Sequence, residues 1–360
     1  MQKKDKFEVT KVYFEVTNYC NFRCDFCPSY LSERKRQHMD FALFEKGIDD
    51  IVRDGITDTV GFHILGEPLL YPRLEDAVRH AKSKGLRTEI NTNGSLLTEE
   101  RIQALAEAGL DMLSVSVQLT NRYNHAARGS DIPFDCYYRQ MMEIAQAVGR
   151  SQGAMEVVLC LMNTATKKYF DIDRPMRING TGHPYKDTLA SFILDVAEAI
   201  DLQIAPEQVR RALRGFNVLH PRFIRLNDKV VVYAQPFGDW GNAFTSRKIY
   251  PARVGFCGYA LHNVGILNSG EVTICCADYD GKTSLGNLHD ASLGAILASE
   301  EAQAIRDGFA RMRVVHPYCQ RCLGGTSNGR TIYKELASIY LIKLLDFQPA
   351  DVDEMSLVPA

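Results

Sequence analysis

The stretch YCNFRCDFC carries three cysteines, Cys20, Cys24 and Cys27, spaced Cys-x3-Cys-x2-Cys, with no fourth thiol nearby. Structural zinc sites close with four protein ligands, so a trio in one short loop leaves a coordination position open. On a cubane [4Fe–4S] cluster, three thiolates hold three irons and leave the fourth free for another ligand. The stretch VYFEVT (12–17) just before it reads as a strand. The loop therefore begins at the C-terminal end of a strand, where an α/β barrel gathers its chemistry.

Ten cysteines occur in the 360 residues. The N-terminal MQKKDKFEVTKVYF lacks the apolar core of a signal peptide, so a cytoplasmic protein is expected. Disulfides are rare in that compartment, and clustered thiols there point to metal. A second group, Cys257, Cys275, Cys276, Cys319 and Cys322, follows more than two hundred residues after the first. Cys136 and Cys160 stand alone and read as small buried hydrophobes. A net charge of −2 gives no electrostatic case for nucleic acid. No apolar run approaches a membrane span.

Strand and helix signals alternate through the first half, which predicts a mostly parallel sheet with crossover helices. Strands are expected at 12–17, 58–64, 86–94, 111–118, 155–162 and 228–235. Helices are expected at 44–55, 74–85, 98–109 and 136–149, with Thr98 as an N-cap. Residues 165–227 interrupt the pattern with two helical segments, read either as a long crossover or as a lid. From about 236 the sequence turns glycine-rich and short-stranded. The expected division is a barrel over 1–235, a small hairpin domain over 236–329, and a C-terminal helix (330–347) and tail to 360, the helix packing back onto the body.

The cluster loop, with Phe26 just before its third cysteine, resembles that of the radical S-adenosylmethionine (radical SAM) superfamily. Further resemblances follow in order. LGEPLLYP after the second strand is similar to the family's Gly-Gly-Glu-Pro segment, with Leu65 in place of the first glycine. NTNGSLL follows the third strand, and SVSVQLTNRYNHAARG includes the fourth. The resemblance implies a partial (β/α)6 TIM-like barrel of α/β class and a [4Fe–4S] cluster on Cys20, Cys24 and Cys27. It also implies S-adenosyl-L-methionine held by Phe26, Gly66, Glu67, Asn93, Ser116 and Arg128. A carboxylate suits the methionine ammonium, and an arginine fork suits its carboxylate. In the family the cofactor is cleaved to a 5′-deoxyadenosyl radical, so a reducing donor such as flavodoxin or ferredoxin is implied.

Cys257, Gly270 and Cys275 followed by Cys319-x2-Cys322 resemble the family's auxiliary-cluster domains, called SPASM and twitch. No thiol follows Cys322, which favours the shorter twitch form with one auxiliary [4Fe–4S] cluster on Cys257, Cys275, Cys319 and Cys322. The same four thiolates suit a structural zinc. Cys276 is either left over or could exchange with its neighbour Cys275.

A closed auxiliary cluster has no iron open to substrate, so it serves to pass electrons or support the fold. The first functional expectation is dehydrogenation of a small sugar or aminocyclitol, with the auxiliary cluster accepting an electron; the frame loosely resembles the cyclitol-oxidising members of the family. His63, Arg122 and His125 are candidate proton-handling residues. The second expectation is an epimerase with Cys160, Cys136 or Cys276 as hydrogen donor. The third is a peptide maturase, weakened because the barrel starts within about ten residues of Met1 and leaves no fused recognition domain. A non-catalytic metal-stabilised scaffold is the fourth. Trp240, in GDWGNAF, borders either the nucleoside pocket or an inter-domain hinge. Asp278 and Asp280 read as turn residues.

Overall fold

A computed structural model describes residues 9–118, 120–151, 153–164, 172–173, 183–340 and 354–357. Its strands are β1 (Lys11–Phe14), β2 (Thr59–Gly61), β3 (Arg87–Thr92), β4 (Met112–Gln118), β5 (Glu156–Asn163), β6 (Arg222–Arg225), β7 (Val230–Pro236), β8 (Asn263–Ile266), β9 (Glu271–Thr273), β10 (Ser284–Asn287) and β11 (Glu354–Ser356). They form one sheet in the order β10-β9-β8-β1-β2-β3-β4-β5-β7-β6-β11. Strands β1 to β5 and β7 run parallel, giving the six strands of the partial barrel.

Alternation along the strands decides which side chains meet. Val12 and Phe14 of β1 are buried toward the helices, where Phe14 meets Phe44 at 5.0 Å between ring centroids. Lys11 and Tyr13 therefore face the opposite side, the barrel lumen, as period-two geometry requires. The helix Phe41–Asp54 that covers β1 is capped by Asp40, whose side chain accepts from the Leu43 amide, and ends at Gly55 with φ of 59°. Thr98 caps the helix Glu99–Glu107 as expected, accepting from the Arg101 amide.

Three features differ from the sequence reading, and one open alternative gains support. Strand β8 pairs in parallel with β1 through four residues, so the C-terminal hairpin continues the barrel sheet. Long-range pairing of this kind leaves no local signal. The helices His183–Ala199 and Pro206–Arg214 form an outer layer: the Tyr138 hydroxyl donates to Asp195 at 2.5 Å, and Gln146 donates to the Ala199 carbonyl. These helices fit the long-crossover reading of the interval, of which residues 165–171 and 174–182 lie outside the described residues. The helix Asn328–Ala337 turns Thr331 inward but leaves Ile332, Tyr333 and Leu336 at 50–62 % exposure, so its apolar stripe does not pack on the body. Its expected continuation over 341–347 is outside the described residues. Strand β11, not foreseen in the tail, pairs in parallel with β6.

Two loops tie the barrel to the hairpin. Arg34 grips the fully buried Glu15 at 2.6 and 2.7 Å, donates to the Tyr279 carbonyl at 2.8 Å and reaches Asn268. Ser32 donates to Asp280. Among the described residues, no helix is long and apolar enough to cross a membrane.

Candidate active site

Cys20, Cys24 and Cys27 lie on the loop after β1, each partly buried. Backbone pairing holds this loop against the one after β4: Arg23 donates to the Arg128 carbonyl and Asp25 to the Ala127 carbonyl. Gly129, at φ of 55°, closes that contact, because a Cβ there would collide with the Arg23 carbonyl. Burial, and then neighbouring charges, push the Cys20 thiol up to about 11 and Cys27 to about 12. Cys24 and Cys20 are among those neighbours, so the three sulfurs share one locality. Thiols so placed hold their protons until a thiophilic metal replaces them.

Arg128 is the cation of this locality, at 2 % exposure. Its Nη2 donates to the Tyr137 hydroxyl at 3.3 Å, and its guanidinium carbon lies 5.0 and 5.9 Å from the Phe22 and Phe26 ring centroids. Its Nε is buried with no hydrogen-bond partner. An orphaned guanidinium N–H beside three thiols fits an anionic ligand such as a carboxylate, so these residues suit the cofactor the family uses. Arg128→Met is expected to weaken S-adenosylmethionine binding about tenfold to a hundredfold, the loss of a charged hydrogen bond. Equilibrium dialysis with iron-loaded protein checks this, and unchanged affinity removes Arg128 from the site.

Glu67 is 1 % exposed and braces the strand ends: it accepts from Thr92 Oγ1 at 2.6 Å, from the Asn93 amide at 2.7 Å and from the Leu69 amide at 3.1 Å. Gly66, at φ of 80°, lies against the Thr17 carbonyl, with no room for a Cβ. Asn93 donates to Asn21, binding the third-strand loop to the cluster loop. Ser116 donates to Asn91 on the lumen side. Phe26 packs with Ala127, Met162, Phe237 and Phe244, and Trp240 packs against the same cluster.

His63 faces the lumen, edge-on to Tyr13 with centroids 5.1 Å apart. Its Nδ1 is buried without a hydrogen-bond partner. Burial, and then the charge of Lys11, hold its pKa down to about 3. Lys11 is itself paired with Glu89. Cys160 also faces inward, in contact with Ser114 at 3.2 Å, and burial pushes its thiol up to about 11. Three candidates are not brought to the site. Arg122 is a surface residue paired with Asp135, its side chain 76 % exposed. His125 lies behind Arg128, 5.0 Å from the Tyr137 ring and within hydrogen-bond distance of the Ile132 carbonyl. Cys136 is exposed on the outer helix Phe134–Arg150.

Cys257, Cys275, Cys319 and Cys322 line one cavity of about 40 Å³ with Ile274 and Phe309, more room than the ~10–15 Å³ a single water needs. Burial pushes Cys257 up to about 12 and raises Cys319 and Cys322, with neighbouring thiols adding to each. Four thiols spread around a cavity fit a multi-atom cluster. Cys276 is not among the lining thiols, but its side chain is hydrogen-bonded to Cys275, and both thiols act on Tyr13 and Tyr259. Tyr259 is 43 % exposed, with Cys276, Tyr233, Cys275 and Cys257 as its neighbours. Asp278 is a turn residue, accepting from the Lys282 and Thr283 amides.

The sequence reading missed Glu15, Arg34, Tyr13 and Tyr259. SERKRQ offers four charged residues in a row with nothing to single out Arg34, and β8 had to be seen beside β1 before Tyr259 could reach the lumen.

Residues 14–171 match the radical SAM superfamily, and residues 257–323 match SPASM, an iron–sulfur cluster-binding domain. A 2-deoxy-scyllo-inosamine dehydrogenase of Niallia circulans, S-adenosyl-L-methionine-dependent, is 35 % identical over 28 % of this chain and 42 % of its own length. A PqqA peptide cyclase of Rhodopseudomonas palustris is 27 % identical over 60 % of this chain and 52 % of its own. The chain spans between 30 % and 52 % of the length of the first curated relatives it matches. In fold, the solved structure of native anSMEcpe with bound AdoMet is similar, with a TM-score of 0.53, 12 % identity, and coverage of 94 % of this chain and 98 % of that one.

Proposed function

We propose that this radical SAM enzyme, a radical SAM domain followed by a SPASM domain, oxidises a small, hydroxyl-bearing substrate of sugar or aminocyclitol type in the lumen between its two thiol sets. One observation carries the reading: the second set is four buried thiols around a shared cavity, a closed donor set suited to holding an electron acceptor. Likeness to an aminocyclitol dehydrogenase supports it. When bound, the two clusters and S-adenosylmethionine supply removal of a hydrogen atom from the substrate carbon and a sink for the remaining electron.

The chain's own residues bind and orient the substrate and guide its proton. Lys11 and Glu89 neutralise one another. Tyr13, Tyr259 and His63 then offer uncharged hydrogen-bonding groups to uncharged hydroxyls. His63 Nδ1, buried and without a partner, is placed to accept a hydrogen bond from the substrate hydroxyl and guide its proton away, and burial and Lys11 keep the ring unprotonated at neutral pH.

A second reading, epimerisation, is favoured by one observation: the Cys276 thiol, outside the four that line the cavity, neighbours Tyr13 and Tyr259. One experiment separates the two. Aminocyclitols and sugars are incubated anaerobically with reductant and S-adenosylmethionine in heavy water, using wild type and Cys276→Ala. Oxidation yields a ketone lacking two hydrogens, one 5′-deoxyadenosine per product, and retained turnover in the variant. A product of unchanged composition with solvent deuterium on carbon, lost in the variant, overturns oxidation.

A further inference from the structure

The loop GDWGNAF passes over the second thiol set with its backbone in an unusual state. Trp240, Gly241 and Asn242 have consecutive φ values of 52°, 70° and 62°. Non-glycine residues held there cost about 1–3 kcal/mol each and persist only where their surroundings over-determine them. The surroundings here are specific. A Cβ on Gly241 would lie 3.3 Å from the Cys322 sulfur, so the loop rests directly on that thiol. The Asn242 side-chain amide is within hydrogen-bond reach of the Arg321, Cys322 and Gly324 carbonyls, at 2.6, 3.1 and 3.1 Å. These carbonyls end the helix Pro317–Leu323, which carries both Cys319 and Cys322.

Two charges are buried at the same point. Asp239 is 8 % exposed; one carboxylate oxygen accepts from the Gly241 amide at 3.2 Å, and the other is buried with no hydrogen bond. Its charge acts on Cys322. Lys334 comes from the separate helix Asn328–Ala337. Its ammonium donates to the Gly324 carbonyl at 2.8 Å, to Asn242 Oδ1 at 3.2 Å and to the Cys322 carbonyl at 3.4 Å, and lies 3.8 Å from Asp239. A lone carboxylate beside four thiolates opposes the arrival of an electron. A cation at the same point favours it, and a low dielectric magnifies both effects.

We propose that Lys334 is the positioning and charge-setting residue of the second thiol site: its ammonium fastens the Asp239–Asn242 loop over Cys322 and offsets Asp239, raising the affinity of that site for an electron. The inference rests on the reading of the site as an iron–sulfur centre. Its role is to act through the thiols, without touching substrate.

The test is an anaerobic redox titration followed by electron paramagnetic resonance. It uses full-length protein with Cys20, Cys24 and Cys27 replaced by alanine, so that only the second centre reports. Lys334→Met is expected to lower the reduced-to-oxidised ratio at a fixed potential at least about tenfold, which is 59 mV for one electron. Lys334→Arg restores the ratio, and Asp239→Asn raises it. Unchanged midpoints with iron retained overturn the proposal. If Lys334→Met loses its iron, Asp239→Asn decides: a raised midpoint supports the proposal and an unchanged one overturns it. A parent protein carrying zinc or no metal at this site is a distinguishable result, which defeats the iron–sulfur reading itself.

Discussion

Replacing Cys20, Cys24 and Cys27 together with alanine is expected to reduce formation of 5′-deoxyadenosine from S-adenosylmethionine and dithionite to the level of an enzyme-free control. The three thiols occupy one locality beside Arg128, whose charge acts on all three. The fold should survive. The loop is held by backbone pairing to residues 127 and 128 and by Phe22 against Tyr137, with centroids 6.0 Å apart, none of which needs a sulfur. Chromatography of the anaerobic reaction, with circular dichroism as the control for folding, checks both halves. Residual cleavage well above background would mean that the cofactor is reduced elsewhere.

The second large effect lies away from the chemistry. Arg34→Met is expected to destabilise the protein by about 3–5 kcal/mol, because it strands a buried carboxylate. Glu15 is fully buried, and both its oxygens bond Arg34. Burial already raises the Glu15 pKa, and Arg34 lowers it; without Arg34 it rises further. A carboxyl whose pKa is higher folded than unfolded takes up a proton on folding, so its contribution to stability is lost as pH rises through the folded value. The variant should therefore lose more stability near pH 8 than near pH 5, and Glu15→Gln in the same chain should recover much of the loss. Urea denaturation at the two pH values measures it. A pH-independent loss would mean that packing, not charge, is what Arg34 supplies.

The barrel was legible in the sequence because its signals are local. Strand alternation, the Thr98 cap and the glycine that ends the first helix each act within a turn or two, and β1 to β5 and β7 formed where the pattern put them. The thiol trio and the quartet were legible because spacing alone announces them. What remained hidden depends on residues brought together from afar. Arg34 and Glu15 meet across the fold, β8 joins β1 over some 250 positions, and Lys334 reaches Asp239 from another helix. Direction was also hidden. Sequence cannot say that Arg122 and Cys136 point to solvent while Cys160 turns inward. The stripe of the helix Asn328–Ala337 is amphipathic in pattern, yet its polar edge packs inward through Lys334 and Glu335.

The central claim is that two iron–sulfur centres flank the lumen, and iron with acid-labile sulfide on anaerobically reconstituted protein tests it most directly. Wild type should hold about eight irons per chain, and the Cys20, Cys24 and Cys27 triple variant about four, one cubane having been lost. About four irons falling to none would mean that Cys257, Cys275, Cys319 and Cys322 hold zinc or nothing, and would contradict the account.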